Sequence, residues 1–350
     1  MSRFASLREW NVTRNTHRSR ASWVMDTLDV DARYPAYARC DEYGPMACSI
    51  PRREKLKLLL VWLTLLPLAR AVVCATCIVV FYVCCLLCSA LPPRVGNALL
   101  LPASRVCCRT VLLCCGVWRL HTSYAPGCAA GRDSTTAVYV ANHVSWLDIL
   151  IAMEQRFPSF ISKASIKQVP LIGVIAASMQ CIFTEREAVG GESSAKKVVG
   201  HVARRLSAPA TCRPLWAFPE GTTTNNMYLL PFKTGAFLSG VPVQPVLLHY
   251  GSSPFSPAFE TIHVIRSLFL VLSQPWVTVT VTYLPLCVPT DAERANPAAF
   301  AERVRGAMLA AGAEWGLQAS SLTLADKREY HAQLLKQWDE WRRSTRPGTN

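Results

Sequence analysis

From Leu58 to Leu91 the chain carries one charged residue, Arg70. Within that run, Ala71–Leu91 has no charge at all; as a helix it spans roughly 31 Å, about one bilayer core. A helix apolar on every side must be sealed inside a core or placed in lipid. Length and lack of charge favour lipid. The run lies too far into the chain, and lacks the short apolar region and small-residue cleavage site, for a secretory leader. Arg52, Arg53, Lys55 and Lys57 precede it, and Arg94, Arg105, Arg109 and Arg119 follow it. Positive charge on both sides gives the positive-inside rule nothing to choose between. A single span, and a re-entrant hairpin bent near Pro67 or Arg70, both fit the pattern.

The formal net charge of +14 suits a polyanion or an anionic membrane surface. No zinc finger or aromatic RNP stretch is present, so nucleic acid is not an expected partner. Membrane lipids are. Of the 15 cysteines, Cys74, Cys77, Cys84, Cys85 and Cys88 fall inside the apolar run. Cys107, Cys108, Cys114 and Cys115 fall in the next apolar patch. In such surroundings cysteine behaves as a small hydrophobe. Cys74-x-x-Cys77 has metal-ligand spacing, but no second pair stands at the right distance, so no metal site is expected. Cys88, Cys107 and Cys108 are candidates for S-acylation through their closeness to the membrane.

Composition divides the chain into four stretches. Residues 1–50 are polar and read as a mobile or loosely docked arm. Residues 51–120 form a membrane-anchoring helical region, with 95–120 expected as a helix in the interface or covering the domain. Residues 121–320 form an α/β domain, and 321–350 a terminal helix and tail. In the third stretch strand-like runs (137–141, 181–184, 215–218, 243–249, 277–283) alternate with helical ones (146–154, 171–179, 194–206, 297–309). That alternation predicts an α/β fold, a largely parallel sheet flanked by helices, preceded by the N-terminal membrane-embedded helical segment.

Two short segments carry the candidate chemistry. In Asn142-His143-Val144-Ser145-Trp146-Leu147-Asp148, His143 and Asp148 lie five positions apart. One continuous helix would turn them about 140° away from each other. They meet if His143 sits on the loop and Asp148 in the first helical turn. Ser145-x-x-Asp148 matches a capping box that would start the helix there. Asp148 could then hold the imidazole in one tautomer while His143 takes a proton from a hydroxyl. A helix cap beside a plain loop histidine is the alternative. The second segment, Phe218-Pro219-Glu220-Gly221-Thr222-Thr223, reads as a strand exit and polar turn. Gly221 permits a positive φ, and Glu220 could accept from hydroxyls. Arg186 is a candidate phosphate grip, and Lys163 and Lys233 are weaker ones.

With these residues in place, the chain resembles the lysophospholipid acyltransferase superfamily over roughly residues 136–246. His143 and Asp148 match its His-x4-Asp block. Ser162-Lys163, Val169 to Gly173, and Ile182-Phe183 through Arg186 match the second block. Phe218 to Thr222 match the third, and Val241 to Val246 the fourth. The resemblance implies His143 as base and Asp148 as its orienter. It implies Arg186 and the Glu220 block as glycerol-phosphate contacts. Acyl-CoA is implied as donor co-substrate, with no bound cofactor and no metal. It also implies an endoplasmic reticulum membrane location, with the catalytic domain facing the cytosol. Thr223 stands where members acting on lysophosphatidic acid often carry Arg, and Glu185 where Asp often precedes the Arg. The run Glu220 to Asn225, continued by Leu230 to Phe237, is more like the lysophosphatidylcholine and lysophosphatidylethanolamine enzymes. A lysophospholipid bearing a head group is therefore the expected acceptor. The rivals are acylation of lysophosphatidic acid or glycerol-3-phosphate, a non-catalytic membrane scaffold, and a cysteine-based metal module.

Overall fold

The computed structural model describes residues 30–41, 43, 50–128, 137–184, 192–251, 255–258 and 264–345. Arg186 and Glu185 lie outside them. The first three helices are α1 (Arg52–Leu63), α2 (Leu66–Ser89) and α3 (Pro93–Cys114). Then come β1 (Val117–Tyr124), β2 (Val138–Ala141), α4 (Leu147–Gln155), β3 (Ser159–Lys163), α5 (Ile172–Ser178) and β4 (Ile182–Thr184). The next elements are α6 (Glu192–Ser207), β5 (Leu215–Ala217), β6 (Tyr228–Leu229), β7 (Val243–Tyr250), α7 (Val264–Leu272) and β8 (Val277–Tyr283). The chain closes with α8 (Asp291–Ala295), α9 (Pro297–Gly312), β9 (Gln318–Ala319) and α10 (Leu324–Thr345).

Seven strands form one sheet in the order β1-β8-β7-β2-β5-β3-β4. Neighbours from β7 to β4 are parallel, β8 is antiparallel to β7, and β1 is parallel to β8. The short β6 pairs with β9 apart from it. The period-two alternation of the strands gives each face its own core. Tyr139, Trp216, Val246, Leu248, Val279 and Val281 point to the side covered by α2, α3, α4 and α7. Val138, Val140, Leu215, Leu247 and Val243 point to the side covered by α6 and α9. With both faces covered, β2, β5 and β7 are buried along nearly their whole length, as suits the apolar β2 and β5 and the mostly apolar β7.

The apolar run does not fold back on itself near Pro67 or Arg70, as a re-entrant hairpin there would; both residues lie within α2. The first break falls at Thr64–Leu65, where Leu65 takes φ +57°, and Pro67 sits within the first turn of α2, where its missing N–H costs no bond. The reversal comes at Ala90–Pro92, and α3 packs back along α2 as a hairpin. Gly96 allows that approach: a Cβ there would stand 2.8 Å from the Cys88 carbonyl oxygen. Arg70 is buried and donates to the Leu272 and Gln274 carbonyls at 2.8 and 2.7 Å. Helices α2 and α3 are each long and apolar enough to cross a membrane. At the hairpin's far end, Asn97 donates to Thr211 O (3.1 Å) and accepts from Arg213 (2.8 Å).

The expected helix over 95–120 ends early. Gly116 takes φ +81°, turns the chain, and starts β1, which crosses the expected boundary at residue 120. Strand β1 pairs with β8, so it belongs to the sheet. Helix α3 covers the domain, burying Leu100, Ser104, Cys108 and Leu112. Buried Cys108 is thereby withdrawn from S-acylation, while Cys88 and Cys107 stay partly exposed. At the other end, Tyr34, Ala36, Tyr37 and Ala38 are buried in a cluster with Leu230 and Tyr330. That part of the expected arm is docked. Strand β3 and helices α1 and α7 were not foreseen as separate elements.

Candidate active site

All the strands from β7 to β4 point their carboxyl ends to one edge of the sheet, the usual place for ligands in an open α/β sheet. His143 leaves the end of β2 there. Asn142, one residue earlier, pins that end: its amide donates to Leu248 O (2.9 Å) and accepts from Leu248 N (2.8 Å). The loop holds His143 outside the helix and Asp148 inside its first turn, so the two meet at 2.8 Å, Nδ1 to Oδ2. The same Oδ2 accepts from Val144 N (2.6 Å) and Ser145 N (2.9 Å). Tyr250 donates its hydroxyl to Oδ1 at 2.5 Å. Asp148 has no exposed surface, so these donors replace water around its charge. Burial, and then the carboxylate charge, push the Tyr250 phenol well above its ordinary range.

The expected capping box is half formed. Trp146, not Ser145, is the N-cap residue. Asp148 does reach back to Ser145 N, but Ser145 Oγ accepts from Leu147 N at 3.3 Å. The carboxylate is drawn towards His143, and the helix starts one residue late. The imidazole stacks on Phe218, with ring centroids 4.1 Å apart and planes at 17°. An Nδ1–H donated to Asp148 leaves Nε2 as the acceptor nitrogen. The His143 side chain is 18% exposed, so this nitrogen can meet a substrate.

Phe218 opens the second segment at the end of β5. Glu220 follows, but it faces inwards: Oε1 accepts from His143 N (2.8 Å) and Oε2 from Leu230 N (2.9 Å). Its carboxylate ties the two loops together, where the spacing had pointed to an acceptor for hydroxyls. Gly221 takes φ +71°, and a Cβ there would fall 2.5 Å from Lys233 Nζ. Gly221 and the exposed Lys233 are therefore neighbours beside the Glu220 turn. Thr222 is half-buried. Thr223 accepts from Lys327 of α10 at both its carbonyl (2.9 Å) and its hydroxyl (2.8 Å). Thr224 N donates to His143 O at 2.8 Å. Lys163 stands exposed at the carboxyl end of β3, two strands from β2 and on the same edge. Among the described residues no group of three or more His, Cys, Asp or Glu side chains is placed to hold a metal ion.

A family model described as Acyltransferase matches residues 127–249, which carry both segments. Lysophospholipid acyltransferase LPEAT1 of Arabidopsis thaliana is 32% identical over 87% of this chain and 87% of its own length. The chain belongs to the lysophospholipid acyltransferase family. Lysophospholipid acyltransferase LPCAT4 of Xenopus tropicalis is 33% identical over 57% of this chain and 38% of its own. Lysophosphatidylcholine acyltransferase 2 of Homo sapiens is 33% identical over 48% of this chain and 31% of its own. The chain thus spans about a third of the length of these two vertebrate relatives. A solved structure, the 1-acyl-sn-glycerophosphate acyltransferase PlsC from Thermotoga maritima, aligns with TM-score 0.47 and 18% identity over 70% of this chain and 94% of that one.

Sequence reasoning in this acyltransferase missed Tyr250 and the stacking role of Phe218. Tyr250 lies 102 positions from Asp148, and nothing local marks it. Phe218 was legible as a strand end beside Glu220, but its partner ring was not.

Proposed function

We propose that the protein transfers an acyl group from acyl-CoA to the free hydroxyl of a lysophospholipid bearing a head group. The observation that carries this reading is the His143–Asp148 pair, its carboxylate held by three further donors, Val144 N, Ser145 N and the Tyr250 hydroxyl, with Nε2 left to act. The acceptor hydroxyl attacks the thioester carbonyl, a C–O bond forms, and His143 Nε2 takes the hydroxyl proton. The C–S bond then breaks, and the departing CoA thiolate recovers that proton. Asp148 keeps Nδ1 protonated and stabilises the imidazolium. No metal or bound cofactor enters this step.

In this reading Glu220 sets the distance between the His143 loop and the polar turn. Gly221, Thr222 and Thr223 shape the wall beside it, and Lys163, Lys233 and Arg186 supply cations for the acceptor phosphate and the CoA phosphates. Thr223 is turned towards Lys327 and offers no guanidinium grip on a phosphate monoester, which supports a head-group-bearing acceptor. The apolar helices would keep the site at a membrane surface; we assign that membrane to the endoplasmic reticulum, with the site on the cytosolic side.

The test is acyl transfer in membranes expressing the protein, with labelled oleoyl-CoA and a panel of lysophospholipids, wild type beside His143→Ala. Transfer by the wild type, lost in the variant, is expected. A folded wild type inactive on every acceptor would overturn the enzyme reading. Dominant use of lysophosphatidic acid would overturn the head-group assignment alone.

A further inference from the structure

We infer that a second lipid-facing surface, adjoining the α2–α3 hairpin at the start of α2 but built outside it, is formed by α1, α7, Trp118 and Trp276. On α1, Leu56, Leu59, Leu60 and Leu63 are each more than half exposed. Their spacing (i, i+3, i+4, i+7) puts them on one stripe, and the stripe faces outwards. Helix α7 is apolar on both sides. It buries Leu270 and Val271 in the core, yet exposes Ile265, Leu268 and Phe269. A surface helix in water carries polar residues along its outer side; beyond the basic first turn of α1, these two expose leucine, isoleucine and phenylalanine instead.

The pieces are joined. Trp62 of α1 stacks on Phe269 of α7 at 4.8 Å and donates to Ser273 Oγ at 2.9 Å. Lys57 donates to Gln274 Oε1 (3.2 Å), two residues before Trp276. The register pairs Val117 with Val277, so Trp118 and Trp276 flank one end of the β1–β8 pair. Both are well exposed, at 58% and 68%. Because β8 runs against β7, that end lies on the edge where β2 and β5 present His143 and Glu220. The surface and the candidate site therefore share one edge of the molecule.

Three observations point to lipid as the occupant. Exposed Leu65, Leu66 and Leu68 carry the apolar surface on into α2, a helix of membrane-crossing composition. Exposed tryptophan is enriched at the membrane–water boundary, where its ring is apolar and its N–H wet. Finally, α7 has no acidic residue, and the one acid of α1, Glu54, is buried against Tyr43 and Lys57. Arg52, Arg53 and Lys55 are exposed beside the stripe, a charge pattern suited to anionic head groups.

The full chain, reconstituted with phosphatidylcholine–phosphatidylserine vesicles brominated near the head-group end of the acyl chains, tests this by tryptophan quenching. The Trp118→Phe/Trp276→Phe double variant is expected to lose a large part of the wild-type quenching. Unchanged quenching would overturn the assignment. An Ile265→Ser/Leu268→Ser variant is expected to bind vesicles at least about tenfold more weakly, from the apolar area removed. It should keep its thermal midpoint and its activity on a short-chain, monomeric lysophospholipid. Equal loss on the monomeric acceptor, or a changed oligomeric mass in detergent that marks the face as one between copies, would also overturn it. Quenching needs no acyl transfer, so its failure is distinguishable from failure of the proposed reaction.

Discussion

Asp148 accepts four hydrogen bonds and has no exposed surface, so its removal acts on geometry and charge together. Asp148→Asn places an NH2 group where every neighbour is a donor. Acyl transfer is expected to fall roughly 10²–10⁴-fold, the range of a misplaced general base, read as kcat on a lysophospholipid. Tyr250→Phe removes one donor from the carboxylate and keeps the ring. A bond to a charged group contributes about 1.5–3 kcal/mol, so kcat should drop about tenfold or more while KM holds, because the Tyr250 hydroxyl is buried against Asp148. A rise in KM with unchanged kcat would contradict that role. Glu220→Gln should loosen the site differently. One of its two ties, to His143 N or to Leu230 N, must then face an amide donor.

At the scale of elements, the polar turn after β5 is held from two sides. Asn225 donates to Pro35 O and Ala38 O, each at 2.7 Å, and its N–H donates to Ala36 O at 3.1 Å. Lys327 of α10 closes over Thr223. The segment 34–38 and the C-terminal helix therefore stiffen the loop next to His143. Asn225→Ala leaves two carbonyls without their donor and is expected to cost about 1–3 kcal/mol, seen as a lower thermal midpoint and as faster amide exchange around residues 34–38. Gly221→Ala meets two obstacles, the positive φ and Lys233 Nζ. Activity should fall through displacement of the lysine, with stability lowered by about 1 kcal/mol.

For the whole molecule, buried His201 and half-buried His249 contribute to how stability responds to acid. Burial holds His201 and His249 below the ordinary 6.5; His201 sits against the Arg213 carbonyl at 3.0 Å. In acid the unfolded chain takes up these protons before the folded one does. Their contribution to stability is complete above about pH 6.5 and is lost progressively as the pH falls below it. The thermal midpoint is expected to fall between neutral pH and about pH 5, and His201→Gln should flatten that slope. A steeper slope in the variant would contradict the assignment. The layered architecture also gives the hairpin a second task. Helices α2 and α3 cover one sheet face, so deleting them would expose Tyr139, Trp216 and Leu248 as well as remove an anchor.

Short-range patterns were readable in the chain itself. The His143–Asp148 spacing, the Gly221 turn, the Val277–Tyr283 alternation and the uncharged run all act within a few residues, where backbone geometry dictates the outcome. The mostly parallel α/β sheet followed from the order of such runs. Other features needed the folded chain. Tyr250 reaches Asp148 only because β7 lies beside β2, and Lys327 reaches Thr223 only because α10 returns across the domain. The helix that ends at Cys114 and the strand that starts at Val117 are parted by two residues, Cys115 and Gly116, and which strand received β1 was a matter of sheet pairing. Glu220 looked like a free acceptor until two backbone N–H groups from distant loops converged on it. Residue type fixes which bonds a group can make; tertiary packing decides which partner arrives to make them.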